Sequence, residues 1–184
     1  MKGSITQFIL LLLIVTSRSF TQAVSKPPDP DKDPFVGTWK ANAVKSRPKL
    51  DKDEALYVRT ISRDGDDRVI SSRTKKPGPA PLIKGKTYSE FSEKNYRIRC
   101  DGLLHPVPCG VVYSCTMSCT YKTANRVEGE TYLDCPIGNE TCRTEGTSYW
   151  TEEVSADGQE MMVLRYSDKD RTELKRANVL DRVK

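Results

Sequence analysis

The sequence contains a single histidine, His105, which lies between Leu104 and Pro106. Histidine-based metal sites and catalytic dyads need several side chains that converge on one point, and no such motif surrounds this residue. The common nucleophile, metalloprotease and phosphate-binding motifs are also absent. We therefore expect no enzyme activity, no metal and no cofactor, and we interpret His105 as a turn or surface residue.

Long apolar runs are scarce, and the only one lies at the N-terminus. Phe8 to Val15 reads FILLLLIV; Lys2 precedes it, and a small-residue cleavage site, Thr21-Gln22-Ala23, follows. Because this run is too short to span a bilayer, we interpret residues 1–23 as a cleaved secretory signal, with an uncleaved anchor as the alternative. We expect a secreted protein that is not an integral membrane protein, extracellular or, in a bacterium, periplasmic.

The sequence also lacks a concentrated charge of one sign. Its 30 lysines and arginines and 25 acidic residues give a net charge of +5, and the positive residues are dispersed along the chain. No basic stripe with interleaved aromatic residues occurs, so nucleic acid is not an expected partner.

Cysteine, in contrast, is concentrated in the middle of the chain. In an exported protein such a cluster indicates disulfide bonds. The rival interpretation is a metal site, because Cys115 and Cys119 have a usable ligand spacing. The oxidising compartment and the lone histidine favour disulfides, but the spacing does not choose among the connectivities. The predicted disulfide cysteines are Cys100, Cys109, Cys115, Cys119, Cys135 and Cys142.

The stretch from Cys109 to Tyr121, CGVVYSCTMSCTY, alternates with a period of two. One face would carry cysteine, valine, tyrosine and methionine, whereas the other would carry mostly hydroxyl groups. This pattern predicts a strand of an antiparallel sheet with one buried face. Turn signals such as Asp64-Gly65 and Asp157-Gly158 separate further short alternating segments. Roughly nine or ten strands without a convincing helix predict an all-β sandwich or barrel.

The domain organisation follows from composition. Residues 24–34, VSKPPDPDKDP, are charged and rich in proline, and we predict a disordered, solvated leader. Residues 35–184 would form one β domain. Asn139-Glu140-Thr141 is a glycosylation sequon in a predicted turn, so Asn139 is a candidate glycosylation site in a eukaryotic secretory route.

Three short stretches carry a family resemblance. Gly37-Thr38-Trp39 on the first predicted strand resembles the lipocalins. The longer segment Phe35 to Asn42, together with Asp101 to Val107 and Val179 to Arg182, is similar to a bacterial group of secreted lipocalin-like proteins.

This resemblance implies a closed antiparallel up-and-down barrel, disulfide-stapled in this chain, with a cavity for one small apolar ligand. It also implies that Trp39 plugs the base of the barrel under an arginine from the last strands. Arg182 is the expected partner, with Arg176 as the alternative.

Two functions are compatible with such a barrel. The first is a secreted carrier with a small apolar ligand in its cavity, and the second is a filled barrel whose loops contact a protein partner. A cavity of several hundred Å³ would favour the carrier, whereas the hydrophobic content of 36% is low for a large apolar lumen. The candidate ligand-binding residues, which share alternating apolar faces, are Ile98, Val111, Tyr113, Met117, Met162, Leu164 and Tyr166.

Overall fold

A computed structural model describes residues 26–75, 91–108, 114–134 and 146–184. Within them lie ten β-strands and two short 3-10 helices, Pro30–Lys32 and Glu54–Leu56. The strands are β1 (Gly37–Ala41), β2 (Val58–Asp64), β3 (Asp67–Lys75), β4 (Phe91–Arg99), β5 (His105–Val107), β6 (Ser114–Thr123), β7 (Arg126–Asp134), β8 (Gly146–Val154), β9 (Glu160–Tyr166) and β10 (Leu174–Arg182).

The strands form one antiparallel sheet in which neighbours along the chain are neighbours in space. The order is β4-β3-β2-β1-β10-β9-β8-β7-β6-β5, so β1 pairs with β10 and the edge strands are β4 and β5. The sheet curls into a nearly closed up-and-down barrel, which confirms the predicted fold class. The predicted hairpin at Asp64 is also present, because Asp64 pairs with Asp67 around Gly65, whose φ is +59°.

The two edges of the sheet meet at a seam that a disulfide bridges. Cys100, which directly follows β4, is bonded to Cys119 of β6. Beside it, the Gly102 amide donates to the Cys119 carbonyl at 2.9 Å, and Asp101 forms an isolated β-bridge with Thr120. A covalent bond and a few hydrogen bonds thus replace a continuous ladder at this corner of the barrel.

The cysteine prediction is confirmed as far as the structure reaches. Cys100, Cys115 and Cys119 are all disulfide-bonded, and no free cysteine occurs in the described ranges. Four kinds of predicted feature lie outside those ranges: the signal, Cys109 with Cys135 and Cys142, the sequon at Asn139, and the start of the organising stretch. Among the described residues, no helix is long and apolar enough to cross a membrane.

The alternation predicted for the organising stretch holds in β6. Cys115, Cys119 and Tyr121 are buried, and Met117 is half-buried against the core. Inward residues from the other strands complete this core. Its largest fully buried apolar members are Trp39, Tyr121, Phe35, Ile61, Ile98, Met161 and Leu180.

Asp33 corrects the predicted boundary of the leader. Its side chain is buried, and it accepts hydrogen bonds from the Tyr121 hydroxyl at 2.6 Å and from Arg63 Nη1 at 3.0 Å. The Phe35 amide also donates to Asp33 Oδ1 at 3.0 Å. Buried carboxylates need such partners, and a composition-based prediction does not see them. The last residues assigned to a solvated leader are therefore part of the barrel base.

Gly129 on β7 gives a test of how tightly the wall is packed. A Cβ at this position would lie 2.1 Å from the Ser118 carbonyl oxygen and 2.3 Å from the Trp150 ring. We expect Gly129→Ala to lower the free energy of unfolding by about 1–3 kcal/mol or more, because the Ser118 carbonyl oxygen belongs to the backbone and cannot move aside without a cost in free energy. Gly65→Ala is the comparison, since open space surrounds Gly65 and only its positive φ is penalised, by about 1–2 kcal/mol. Urea denaturation measures both, and a Gly129→Ala protein as stable as the parent would contradict the packing.

Candidate ligand cavity

Three charged residues point into the barrel at positions where alternation would normally place apolar side chains. Arg59 of β2, Arg68 of β3 and Glu152 of β8 lie on the inward face of their strands and are 5%, 0% and 3% exposed. Their strand neighbours Thr60 and Glu153 are on the outer face and are more exposed. The barrel interior therefore holds a charged cluster surrounded by a hydrophobic core.

Glu152 connects the two arginines. Arg59 Nη1 donates to its Oε1 at 2.5 Å, and Arg68 Nη2 donates to its Oε2 at 2.9 Å. Burial alone would raise the pKa of Glu152, but the charges and hydrogen bonds of the arginines outweigh it and hold that pKa at about 2. Burial opposes the charge of Arg59, and the facing carboxylate more than offsets this, so the pKa of Arg59 is raised. Glu152 and Arg59 are therefore both charged at neutral pH.

The cluster leaves several hydrogen-bond donors without partners. Four buried N–H donors have no acceptor among the described residues: Arg59 Nε, Arg68 Nε, Arg68 Nη1 and the indole nitrogen of Trp150. Buried guanidinium groups are usually satisfied on every side. The charged cluster therefore has fewer acceptors than donors, and it carries one more cation than anion.

Trp39 lies in the core together with Arg182, the partner expected from the resemblance. Its side chain is fully buried, its Nε1 donates to the Phe35 carbonyl at 2.9 Å, and the guanidinium of Arg182 lies 4.2 Å from the ring centroid. Arg182 also donates to the carbonyls of Pro34, Val36 and Gly158. Arg176, the alternative partner, lies elsewhere and pairs with Glu54 at 2.5 Å.

A cavity of about 260 Å³ opens near the Ala41 end of β1, beside Arg59, which pairs across the sheet with Trp39. Arg59 contributes to its inner wall, Val163 and Leu180 supply buried apolar surface, and Arg165 and Arg176 lie towards solvent. Burial raises the pKa of Tyr57, so its hydroxyl stays protonated. The described residues that line the cavity are Ala41, Leu50, Glu54, Tyr57, Arg59, Thr74, Val163, Arg165, Arg176, Asn178 and Leu180.

Of the residues that the sequence analysis selected, those in the described ranges do not line the cavity. Ile98 is buried in the core and Met117 packs against it. On β9 the predicted face was the wrong one: Met162 is 41% exposed, whereas Met161 and Val163 are buried. The correction extends to the other two β9 candidates, Leu164 and Tyr166, and Val111 and Tyr113 lie in the part of the chain that is not described.

The physical reason is that β9 is apolar on both faces near its start, so alternation alone does not show which face points into the barrel. The pairing with the neighbouring strands decides it. Val163 pairs with Glu152 of β8 and Asn178 of β10, and Met161 pairs with Leu180 of β10. One sequence signal points to Arg59: it is an arginine at an inward position of a strand, between Val58 and Thr60. The alternation rule does not use this signal, because it assigns charged residues to the solvent face.

His105 has a simple structural partner. Its Nε2 lies 2.9 Å from Asp101 Oδ1, which also accepts the Leu103 amide at 2.9 Å, so the pair organises the turn before β5. No group of three or more histidine, cysteine or acidic side chains suited to a metal ion is found within the described ranges.

Comparisons with known proteins add no assignment to this geometry. No family model matches the sequence, and a search of the curated proteins finds no significant match.

Proposed function

We propose that the chain is a secreted, non-catalytic, lipocalin-like protein that binds a small ligand in the open end of its barrel. The observation that carries the proposal is the cavity of about 260 Å³ beside the packed core, with the buried residues Arg59, Val163 and Leu180 in its wall. A barrel that only needed to be stable would fill this space with side chains as well.

The size of the cavity limits the ligand. At about 30 Å³ for a water-sized group, this volume accommodates roughly nine such groups. A molecule that buries about 200 Å² of apolar surface gains roughly 5 kcal/mol before the cost of immobilisation. That free energy corresponds to a dissociation constant between millimolar and micromolar, so apolar contacts alone hold the ligand weakly.

Filling the cavity tests the proposal. Val163→Phe should weaken binding at least tenfold for every small amphipathic molecule that the parent protein binds, because the larger side chain occupies the ligand volume. Leu164→Phe, the adjacent residue on the outer face, should leave binding unchanged. Ligand-observed NMR with a panel of molecules of roughly ten non-hydrogen atoms measures both. A folded Val163→Phe protein that still binds the same molecules would contradict the site.

The protein-interaction module is a second candidate, and one observation favours it. Leu103 and Leu104, in the turn between β4 and β5, are 64% and 54% exposed. Large apolar side chains at the end of a rigid barrel are suited to contact a protein surface. Failure of the parent protein to bind any member of the panel would favour this second function.

A further inference from the structure

A short segment before β1 packs into the barrel at the Gly37 end of that strand. Residues 33–36, which we call the strap, lie outside the ten strands, yet the side chains of Asp33 and Phe35 are buried. The Phe35 ring makes an edge-to-face contact with Tyr121, and its centroid lies 4.8 Å from the guanidinium carbon of Arg68. The strap therefore covers one member of the buried charged cluster.

The strap is attached to the barrel through side chains alone. Its two backbone N–H bonds both end on Asp33, inside the strap itself. Its carbonyls accept the indole N–H of Trp39 and two N–H groups of Arg182. Within the described part of the chain, no hydrogen bond between backbone groups joins the strap to a strand. Segments that lack a ladder can open at a lower free energy than the sheet beside them.

Asp33 anchors the strap to the barrel wall. Its carboxylate accepts from the Tyr121 hydroxyl at 2.6 Å and from Arg63 Nη1 at 3.0 Å. The side chains of Asp33 and Arg63 are both almost completely buried. Because hydrogen bonds that involve charged groups are stronger than neutral ones, loss of this carboxylate should weaken the attachment of the strap markedly.

Gly37 joins the strap to β1 and can act as a hinge. Its φ is +142°, a conformation that glycine adopts readily and other residues rarely. A Cβ at this position would lie 2.6 Å from Arg182 Nη1, so the close approach of that guanidinium also requires glycine. Hinges are commonly single residues at the end of an element.

The donors under the strap lower the cost of opening it. Arg68 is 0% exposed, and its Nε and Nη1 have no acceptor among the described residues. A buried donor without an acceptor carries a free-energy penalty, which contact with water removes. Opening the strap uncovers this guanidinium, so part of the free energy lost with the strap contacts is regained.

We propose that the strap opens as a unit about Gly37 while the sheet stays folded, and that this opening admits water and small solutes to Arg68. The N-terminal segment is then a gate to the charged interior of the barrel. This inference goes beyond the proposed function, because it concerns the Gly37 end of β1 rather than the cavity near Ala41. Its failure would leave the small-ligand function standing.

Hydrogen exchange of the full chain, followed by NMR, tests the opening. The probe is the indole N–H of Trp39, whose acceptor is the Phe35 carbonyl, and the reference is the set of backbone amides in the β6–β7 ladder. The probe should be at least about tenfold less protected than the reference, and low urea concentrations should accelerate only the reference. Equal protection with equal urea dependence would overturn the proposal, because the strap would then open only on global unfolding.

Two variants test the anchor. Asp33→Asn removes the charge that pairs with Arg63 and should accelerate exchange of the Trp39 indole at least about tenfold, with a smaller effect on the reference amides. Asp29→Asn is the matched control, because the exposed side chain of Asp29 bonds only the Asp31 amide, and it should change neither rate. Equal acceleration of probe and reference in Asp33→Asn would show that Asp33 supports the whole fold and would overturn its role as the anchor of a separate unit.

Arginine modification tests what the strap covers. Phenylglyoxal reacts with accessible guanidinium groups, and mass spectrometry of proteolytic fragments locates the label. Arg68 should be labelled at least about tenfold faster in Asp33→Asn than in the parent, whereas Arg97, whose side chain is 56% exposed, should be labelled equally in both. An unchanged rate at Arg68 in a variant whose Trp39 indole exchanges faster would overturn the assignment of the strap as its cover.

Discussion

Replacing Glu152 with glutamine should lower the free energy of unfolding by about 3–5 kcal/mol. The substitution keeps the shape of the side chain but leaves Arg59 and Arg68 buried without a counter-charge. Glu153→Gln is the matched control, because Glu153 is the next residue of β8, lies on the outer face and makes only a 3.7 Å contact with Arg126. It should change stability by less than about 0.5 kcal/mol.

Urea denaturation at neutral pH measures both variants. A Glu152→Gln protein that unfolds at the parent's urea concentration would show that the arginines do not need this carboxylate.

The same carboxylate predicts a loss of stability in acid. The pKa of Glu152 is about 2 in the folded protein, compared with an ordinary value of 4.5. A lowered pKa means that its stabilisation, about 3 kcal/mol, is complete above pH 4.5 and is lost as the pH falls towards 2. The Glu152→Gln protein should therefore show a shallower decline over that interval. Parallel declines of parent and variant would assign the acid sensitivity to other carboxylates.

Trp39→Ala should be similarly damaging, with a loss of about 3–5 kcal/mol. The substitution leaves a cavity in the hydrophobic core and removes the ring on which the guanidinium of Arg182 rests. For a domain of this size, the loss corresponds to a decrease in melting temperature of about 6–20 °C. Thermal unfolding followed by circular dichroism measures it.

Tyr132→Ala serves as the control for Trp39→Ala. Tyr132 is an aromatic residue on the outer face of β7 and is 42% exposed. Its truncation should change the melting temperature by at most about 2–4 °C. Equal effects of the two substitutions would mean that Trp39 does not plug the base.

The sequence predicts the architecture of this protein well because strand alternation and turn chemistry are local properties. The Cys109–Tyr121 pattern, the turn at Asp64-Gly65 and the absence of helical periodicity are sufficient to indicate an all-β sandwich or barrel. The choice of a closed up-and-down barrel came from the resemblance to the lipocalins. The partnership of Trp39 with Arg182 was accessible only through the family resemblance, since the two residues come together by the pairing of β1 with β10.

The cavity could not be predicted in the same way. Its inner wall depends on the register between strands, which places Val163 opposite Glu152 and Asn178. Register also brings Arg59, Arg68 and Glu152 together from three strands, and no local pattern distinguishes a buried ion cluster from three solvent-exposed charges. A binary pattern assigns charge to the surface, and this protein departs from that rule at the place where we propose its function.

The pairing of β1 with β10 has a consequence for how the chain reaches this structure. Arg182 donates to the carbonyl of Val36, 146 positions earlier. The edge of β1 that pairs with β10 therefore stays unpaired until almost the whole domain has been synthesised. Hairpins such as β2–β3 and β6–β7 can form early because their partners are adjacent. Closure then requires the contact with the longest sequence separation, which makes folding slow. Until β10 is available, the unpaired edge of β1 remains open to neighbouring chains, and protection from aggregation matters most in that interval.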